Sequence, residues 1–198
     1  MLVDIDGVIS LFGFDLPTGR GRASVARPDR SFHWIDGIPN FLSPTAAEHL
    51  LALAPSFELV WASGWEEKAN EYLPHLLGLP VLPHLSFERA VGRSNAHWKL
   101  DAIDAYAGAR ALAWIDDAFN DACHEWARAR TAATLLVETQ PSSGLTAREV
   151  EILARWATRY SPDSSGTSSS PSPSTKPGSE LPAPIFSSEA RSASNSLP

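Results

Sequence analysis

The stretch Leu2-Val3-Asp4-Ile5-Asp6-Gly7-Val8 opens the chain with an apolar run that ends on two carboxylates and a glycine. Two residues apart on an extended chain, Asp4 and Asp6 project to the same side, and Gly7 then lets the backbone turn sharply. At the carboxyl end of a buried strand the carboxylates leave the core without stranding a charge inside it. A shared cation would relieve their mutual repulsion. Taken alone, the pattern equally describes a strand that stops at a solvated turn, because Asp and Gly both favour turns.

Beyond this segment, short apolar runs alternate with helix-like ones. FELVWA (57–62), VLPHL (81–85), RALAWI (110–115) and ATLLV (133–137) read as further buried strands. Helices are expected from Pro44 after Ser43, over Glu66–Leu77, around Asn95–Ala107 and over Asn120–Arg130. A last helix follows Thr146 and brings Val150, Leu153 and Trp156 to one side. Strands alternating with helices imply parallel pairing through right-handed crossovers. The expected fold is therefore α/β: an open, parallel, Rossmann-like sheet with helices on both faces, binding ligands at the carboxyl ends of its strands.

Residues 10–40 hold Gly, Pro and Arg without sustained periodicity and read as a flap inserted over the site. From Ser161 the chain is dominated by Ser and Pro, so residues 1–160 are expected to form the domain and 161–198 a disordered tail. The tail's Asp163, Glu180 and Glu189 are nearly balanced by Lys176 and Arg191, so the formal charge of -7 belongs mostly to the domain. That charge argues against bulk electrostatic coating of nucleic acid and leaves room only for a local basic patch. A lone cysteine, Cys123, makes no internal disulfide. With no basic leader ahead of MLVDIDGVIS and no long apolar run, the expectation is a soluble, cytoplasmic protein without a membrane partner.

Three later positions join Asp4 and Asp6. FELVWA runs into Ser63 and Gly64, a hydroxyl and accessible backbone N–H groups where a helix begins, which can hold phosphate oxygens or simply cap the helix. Lys99 lies in a helix-like segment, where a lysine is ordinarily a surface group. RALAWIDD ends a strand on Asp116 and Asp117, a second carboxylate source for a cation or a plain turn. The histidines at 33, 75, 84, 97 and 124 have no metal-ligand spacing.

The order DxDG, strand-Ser-Gly, helix Lys, strand-DD resembles the haloacid-dehalogenase-like (HAD-like) phosphatases over about residues 1–156. The resemblance implies that Asp4 is the nucleophile, Asp6 the general acid and base, and Ser63, with Gly64, the phosphate-binding group. It implies that Lys99 offsets charge at Asp4, and that Mg2+ is the cofactor, held by Asp4, Asp6, Asp116 and Asp117. In family variants the second acid stands further on, which leaves Asn120 and Asp121 as alternatives to Asp117. The interval between Ser63 and Lys99 is too short for a large cap, so the expected site is open or minimally covered.

An open site suits a phosphorylated chain end. The flap's Arg20, Arg22, Arg27 and Arg30, followed by Phe32, His33 and Trp34, could meet phosphates and bases, or form a solvated loop with aromatics packed on the core. The segment IDDAFNDACHEWARAR, with Trp126, Arg128 and Arg130, resembles the phosphatase domain of bacteriophage polynucleotide kinase/phosphatase. The core as a whole is similar to phosphatase-type domains of bacterial multi-domain RNA repair proteins. The expected activity is a Mg2+-dependent phosphomonoesterase acting through an aspartyl-phosphate, with a nucleic-acid 3′-phosphate end as the favoured partner. A small-molecule phosphatase and a non-catalytic HAD-like binding protein remain alternatives, separable by turnover of a generic phosphomonoester.

Overall fold

A computed structural model of the chain describes residues 1–13, 30–87 and 95–160; the tail from 161 and Arg20, Arg22 and Arg27 lie outside the described residues. β1 (Leu2–Val3), β5 (Val60–Trp61), β6 (Leu112–Asp116) and β7 (Thr134–Glu138) form one parallel sheet in the order β5-β1-β6-β7. Leu2 is in register with Val60 and Trp114, and Val3 with Trp61 and Ile115.

Alternation along these strands divides the core in two. Val3, Trp61, Ile115 and Val137 face one cluster, which takes in α1 (Pro44–Leu53), α2 (Lys68–Leu77) and α5 (Ala147–Tyr160) through Leu50, Leu73 and Leu153. Leu2, Val60, Leu112 and Trp114 face the other, covered by α3 (Leu100–Ala107) and α4 (Asp121–Ala129) through Ile103 and Cys123. Helices thus lie on both faces of a parallel α/β sheet, as the alternating runs imply. Trp126 belongs to the second cluster: its ring meets Trp114 edge-on and its Nε1–H donates to Asp104 (3.0 Å). Helix starts follow local rules. Ser43 Oγ accepts from the Ala46 N–H (3.1 Å), and Asn120 Oδ1 from the Cys123 N–H (3.3 Å).

Three expectations are corrected. VLPHL is not a strand: only a single bridge, Trp61 with His84, joins it to the sheet. The ladder stops on both sides of that bridge because Pro83 has no N–H to donate and the Phe87 N–H goes to Glu66 Oε1 (3.2 Å). On the face turned away from β5, the Asn70 amide donates to the Leu82 carbonyl (2.7 Å) while its Oδ1 accepts from the Leu82 N–H (3.0 Å). The segment around 95–107 is a 3-10 turn, Ala96–Lys99, before α3 begins.

The described part of the flap is regular rather than aperiodic. β2 (Ser10–Leu11), β3 (Ser31–Ile35) and β4 (Ile38–Leu42) form a separate antiparallel sheet in the order β2-β4-β3. Its hairpin turns on Asp36-Gly37, both at positive φ (50° and 77°), a two-residue Asp-Gly signal that the sequence carries plainly. Asp36 then ties the turn to α2 through Lys68 and through the Tyr72 hydroxyl (2.6 Å).

The Asn70 amide also accepts from the indole N–H of fully buried Trp61 (3.2 Å). Asn70→Ala therefore orphans a buried donor and frees the 81–85 segment. A loss of about 2–3 kcal/mol in urea-induced unfolding is expected, and a change within experimental error would show that the segment is held by its apolar contacts instead.

Candidate active site

The carboxyl ends of β1 and β6 converge because the two strands are adjacent and in register. The Asp4 N–H donates to the Ile115 carbonyl (3.0 Å), which places the Asp4 and Asp116 side chains side by side at the sheet's edge. After Asp4 the chain folds tightly: the Ile9 and Ser10 N–H groups both donate to the Ile5 carbonyl (2.8 Å each). Gly7 has φ 71°, and a Cβ there would lie 2.3 Å from the Asp117 Cγ. Gly7 is required both for the turn and to admit the Asp117 carboxylate. Thr139, which sequence reasoning passed over, fastens the turn from the far side: its N–H donates to the Asp116 carbonyl (3.1 Å) and its hydroxyl to the Gly7 carbonyl (2.9 Å).

Lys99 is no surface lysine. Almost wholly buried, its Nζ stands 2.9 Å from Asp4 Oδ2 and 2.7 Å from Asp116 Oδ2. Burial alone would lower the ammonium's pKa, but the two carboxylates outweigh it and hold it above its ordinary value. Asp116 is pushed up by burial and by the charge of Asp4, against the opposing pull of Lys99 and of a hydrogen bond from the Ala118 N–H. Asp117, half-buried, is raised to about 6 by desolvation and by Asp4.

Side-chain oxygens of Asp4, Asp116 and Asp117 all lie within 4.8 Å of one another. Three hard carboxylate donors, two of them pushed up by burial and then by the charge of Asp4, suit a divalent cation such as Mg2+. Among the described residues the Asp6 carboxylate is not in that group; its Oδ2 accepts from the Trp65 indole N–H (3.1 Å). Asp121 is exposed in the first turn of α4 and Asn120 caps that helix, and among the described residues it is the Asp117 carboxylate that lies with those of Asp4 and Asp116. Crowding by the surrounding protein, then the Asp4 charge, raises Asp6 to about 6 against the pull of Trp65.

These groups open into a cleft of about 370 Å3, whose lining includes Asp4, Asp6, Gly64, Lys99, Asp116 and Asp117. Ser63 is buried and is not among the lining residues; its Oγ accepts weakly from the Trp65 N–H (3.5 Å). Phe12, Trp65, Asn95, Ala96, Trp98 and Ala118 complete the walls, none of them given a role by sequence reasoning.

The remaining nucleic-acid clues fall elsewhere. Arg130 is a brace, its guanidinium donating to the Gly108 and Arg110 carbonyls (3.1 and 2.9 Å) and its Nε to Thr134 (2.8 Å). Arg128 donates to the His124 carbonyl within α4 (3.1 Å). Phe32 and Trp34 are exposed on the hairpin, and His33 pairs with the Ser31 hydroxyl (2.7 Å).

A family model described as the HAD domain in Swiss Army Knife RNA repair proteins matches residues 1–150. The chain belongs to that family. The HAD domain match makes it a HAD-type phosphatase domain in its general class, and the parallel sheet agrees with the HAD fold. Neither a curated protein nor a solved structure gives a significant match. Among the described residues of this HAD domain no helix is long and apolar enough to cross a membrane.

The raised carboxyls set a pH dependence. Asp117 binds its proton more tightly in the folded than in the unfolded chain. Its contribution to stability is thus fully present below its ordinary 3.8 and lost as pH rises through about 6. Asp117→Asn is expected to stabilise the metal-free protein at about pH 7.5 by on the order of 1 kcal/mol, after allowance for solvent screening. The gain should shrink towards zero at about pH 4. Thermal melts in EDTA at both pH values check this, and equal effects at both would contradict it.

Proposed function

We propose that this HAD domain is a Mg2+-dependent phosphomonoesterase that works through a phosphoryl group carried on Asp4. The observation that carries the reading is the buried Lys99 ammonium bridging Asp4 and Asp116 beside an acidic cleft. A lysine so placed aims the Asp4 carboxylate and offsets part of the charge around it without neutralising the whole site, which suits an anionic nucleophile. Asp4, Asp116 and Asp117 would hold the cation, which when bound lowers the repulsion between Asp4 and an anionic phosphoester.

The chain's own groups do the rest. An Asp4 oxygen attacks phosphorus as the bond to the leaving oxygen breaks, and Asp6 gives that oxygen its proton. Asp6 then takes a proton from a water whose oxygen attacks the phosphoryl-Asp4, releasing phosphate and restoring both carboxyls. Trp65 supports this exchange: an indole N–H can only donate, so it fixes Asp6 Oδ2 and leaves Oδ1 to carry the proton. A carboxyl raised to about 6 also keeps its proton closer to neutrality than an ordinary aspartate. The backbone at Gly64 is available to phosphate oxygens, and buried Ser63 would act by shaping that turn.

The favoured substrate is a phosphorylated nucleic-acid end. The open cleft, and membership of a family described from RNA repair proteins, support it over a small metabolite.

Asp4→Asn should cut turnover of a generic phosphomonoester by more than about a hundredfold, and EDTA should do the same until Mg2+ is restored. Asp6→Asn should slow poor leaving groups far more than good ones. Steady-state assays with circular dichroism as the folding control decide it; near-normal activity of folded Asp4→Asn would remove the nucleophile assignment.

A further inference from the structure

Thr139 follows β7 directly and is buried almost completely. A hydroxyl in such a place needs a recipient for its proton, and this one donates to the Gly7 carbonyl (2.9 Å), while the N–H of the same residue donates to the Asp116 carbonyl (3.1 Å). One residue thus ties together two loops remote in sequence, the turn after Asp4 and the turn that carries Asp117.

Between those two loops lies the Asp117 carboxylate. Its Cγ sits so close over Gly7 that a Cβ there would come within 2.3 Å of it. Gly7 forms one wall of this seat, the backbone at Asp116 leads into the other, and Thr139 spans both. Asp4 and Asp116 are oriented directly by the Lys99 ammonium (2.9 and 2.7 Å), whereas half-buried Asp117 takes its place from its contact with Gly7. The rest of the first turn is fastened separately: the Leu145 N–H donates to the Val8 carbonyl (2.9 Å) and the Phe12 N–H to the Pro141 carbonyl (3.0 Å). Without the Thr139 hydroxyl the turn therefore keeps its anchors at Val8 and Phe12, but the Gly7 carbonyl loses its partner. An unpaired buried carbonyl is costly, so the peptide after Gly7 rotates towards another donor and the seat of Asp117 changes shape.

We propose that Thr139 is a positioning residue for the divalent cation: by holding Gly7 against the Asp117 carboxylate it sets where that carboxylate stands relative to those of Asp4 and Asp116, and so sets Mg2+ affinity without itself being a ligand. The assignment rests on the metal-dependent phosphatase reading, and cation binding tests it apart from turnover.

The experiment titrates the wild-type chain and its variants with Mn2+, followed by the electron paramagnetic resonance of the free ion, and then displaces the bound Mn2+ with Mg2+. Thr139→Val puts a methyl group in place of the hydroxyl and should weaken both ions about tenfold, whereas Thr139→Ser keeps the donor and should stay within about twofold of the wild type. Beside Asp117→Asn, Thr139→Val should have no further effect on affinity, because the carboxylate it positions is already gone. With a generic phosphomonoester, Thr139→Val should raise the Mg2+ concentration for half-maximal rate far more than it lowers the rate at saturating Mg2+. Circular dichroism melts in EDTA identify the folded variants; if Thr139→Val does not fold, Thr139→Cys, whose thiol is a weak donor, carries the same test. Wild-type Mn2+ affinity in Thr139→Val, an equal loss in Thr139→Ser, or an undiminished effect beside Asp117→Asn overturns the assignment and leaves the phosphatase reading intact. A wild-type chain that binds no Mn2+ overturns the assignment together with the metal-dependent reading. A loss confined to Thr139→Val in a chain that binds Mn2+ but hydrolyses no phosphomonoester removes the phosphatase reading and leaves the positioning role standing.

Discussion

One ammonium inside the protein, Lys99, holds the site together. Its contacts with Asp4 and Asp116 join three charges that would each be expensive to bury alone. Their cost is met by geometry rather than by the strength of a single pair. Strands β1 and β6 are neighbours, so the two carboxylates arrive together, and the 3-10 turn ahead of α3 delivers the lysine from the cluster on the opposite side of the sheet from α1 and α5. Removing the lysine would leave two carboxylates facing each other in a buried place. A cation then has a defined task, since the ammonium does not balance the acids around it.

The sheet makes this possible by being buried on both faces. Val3 and Trp61 point to one cluster while Leu2 and Val60 point to the other, so polar groups of β1 and β5 are placed at the strand ends. Asp4, Asp116 and the turn before α2 all lie at such outlets. Gly7 and Thr139 show how closely the loops are fitted there: one makes room for Asp117, and the other fastens the first turn to the chain just beyond Asp116.

How much of this was legible depended on whether the deciding interaction was local. The strands at 110–115 and 133–137, the helix caps at Ser43 and Asn120 and the order of Asp4, Ser63, Lys99 and Asp116 are local or ordinal features, and a sequence displays them. The 81–85 segment looked like a strand because its apolar pattern was right. It is not one because Pro83 has no N–H for the ladder and the Phe87 N–H is taken by the Glu66 carboxylate. The burial of Lys99 and the Trp65–Asp6 hydrogen bond depend on distances between remote residues, which spacing does not encode. The hairpin was legible and was missed, since Asp36-Gly37 between alternating residues is a strong turn signal.

The account stands on Asp4 carrying the phosphoryl group. The most direct measurement is a rapid acid quench of the wild-type chain during Mg2+-supported turnover, followed by peptide mass mapping. The account predicts a phosphoryl adduct on the peptide containing Asp4 that disappears when substrate is exhausted. Sustained phosphate release with no adduct on Asp4, or with the adduct on another residue, would contradict it.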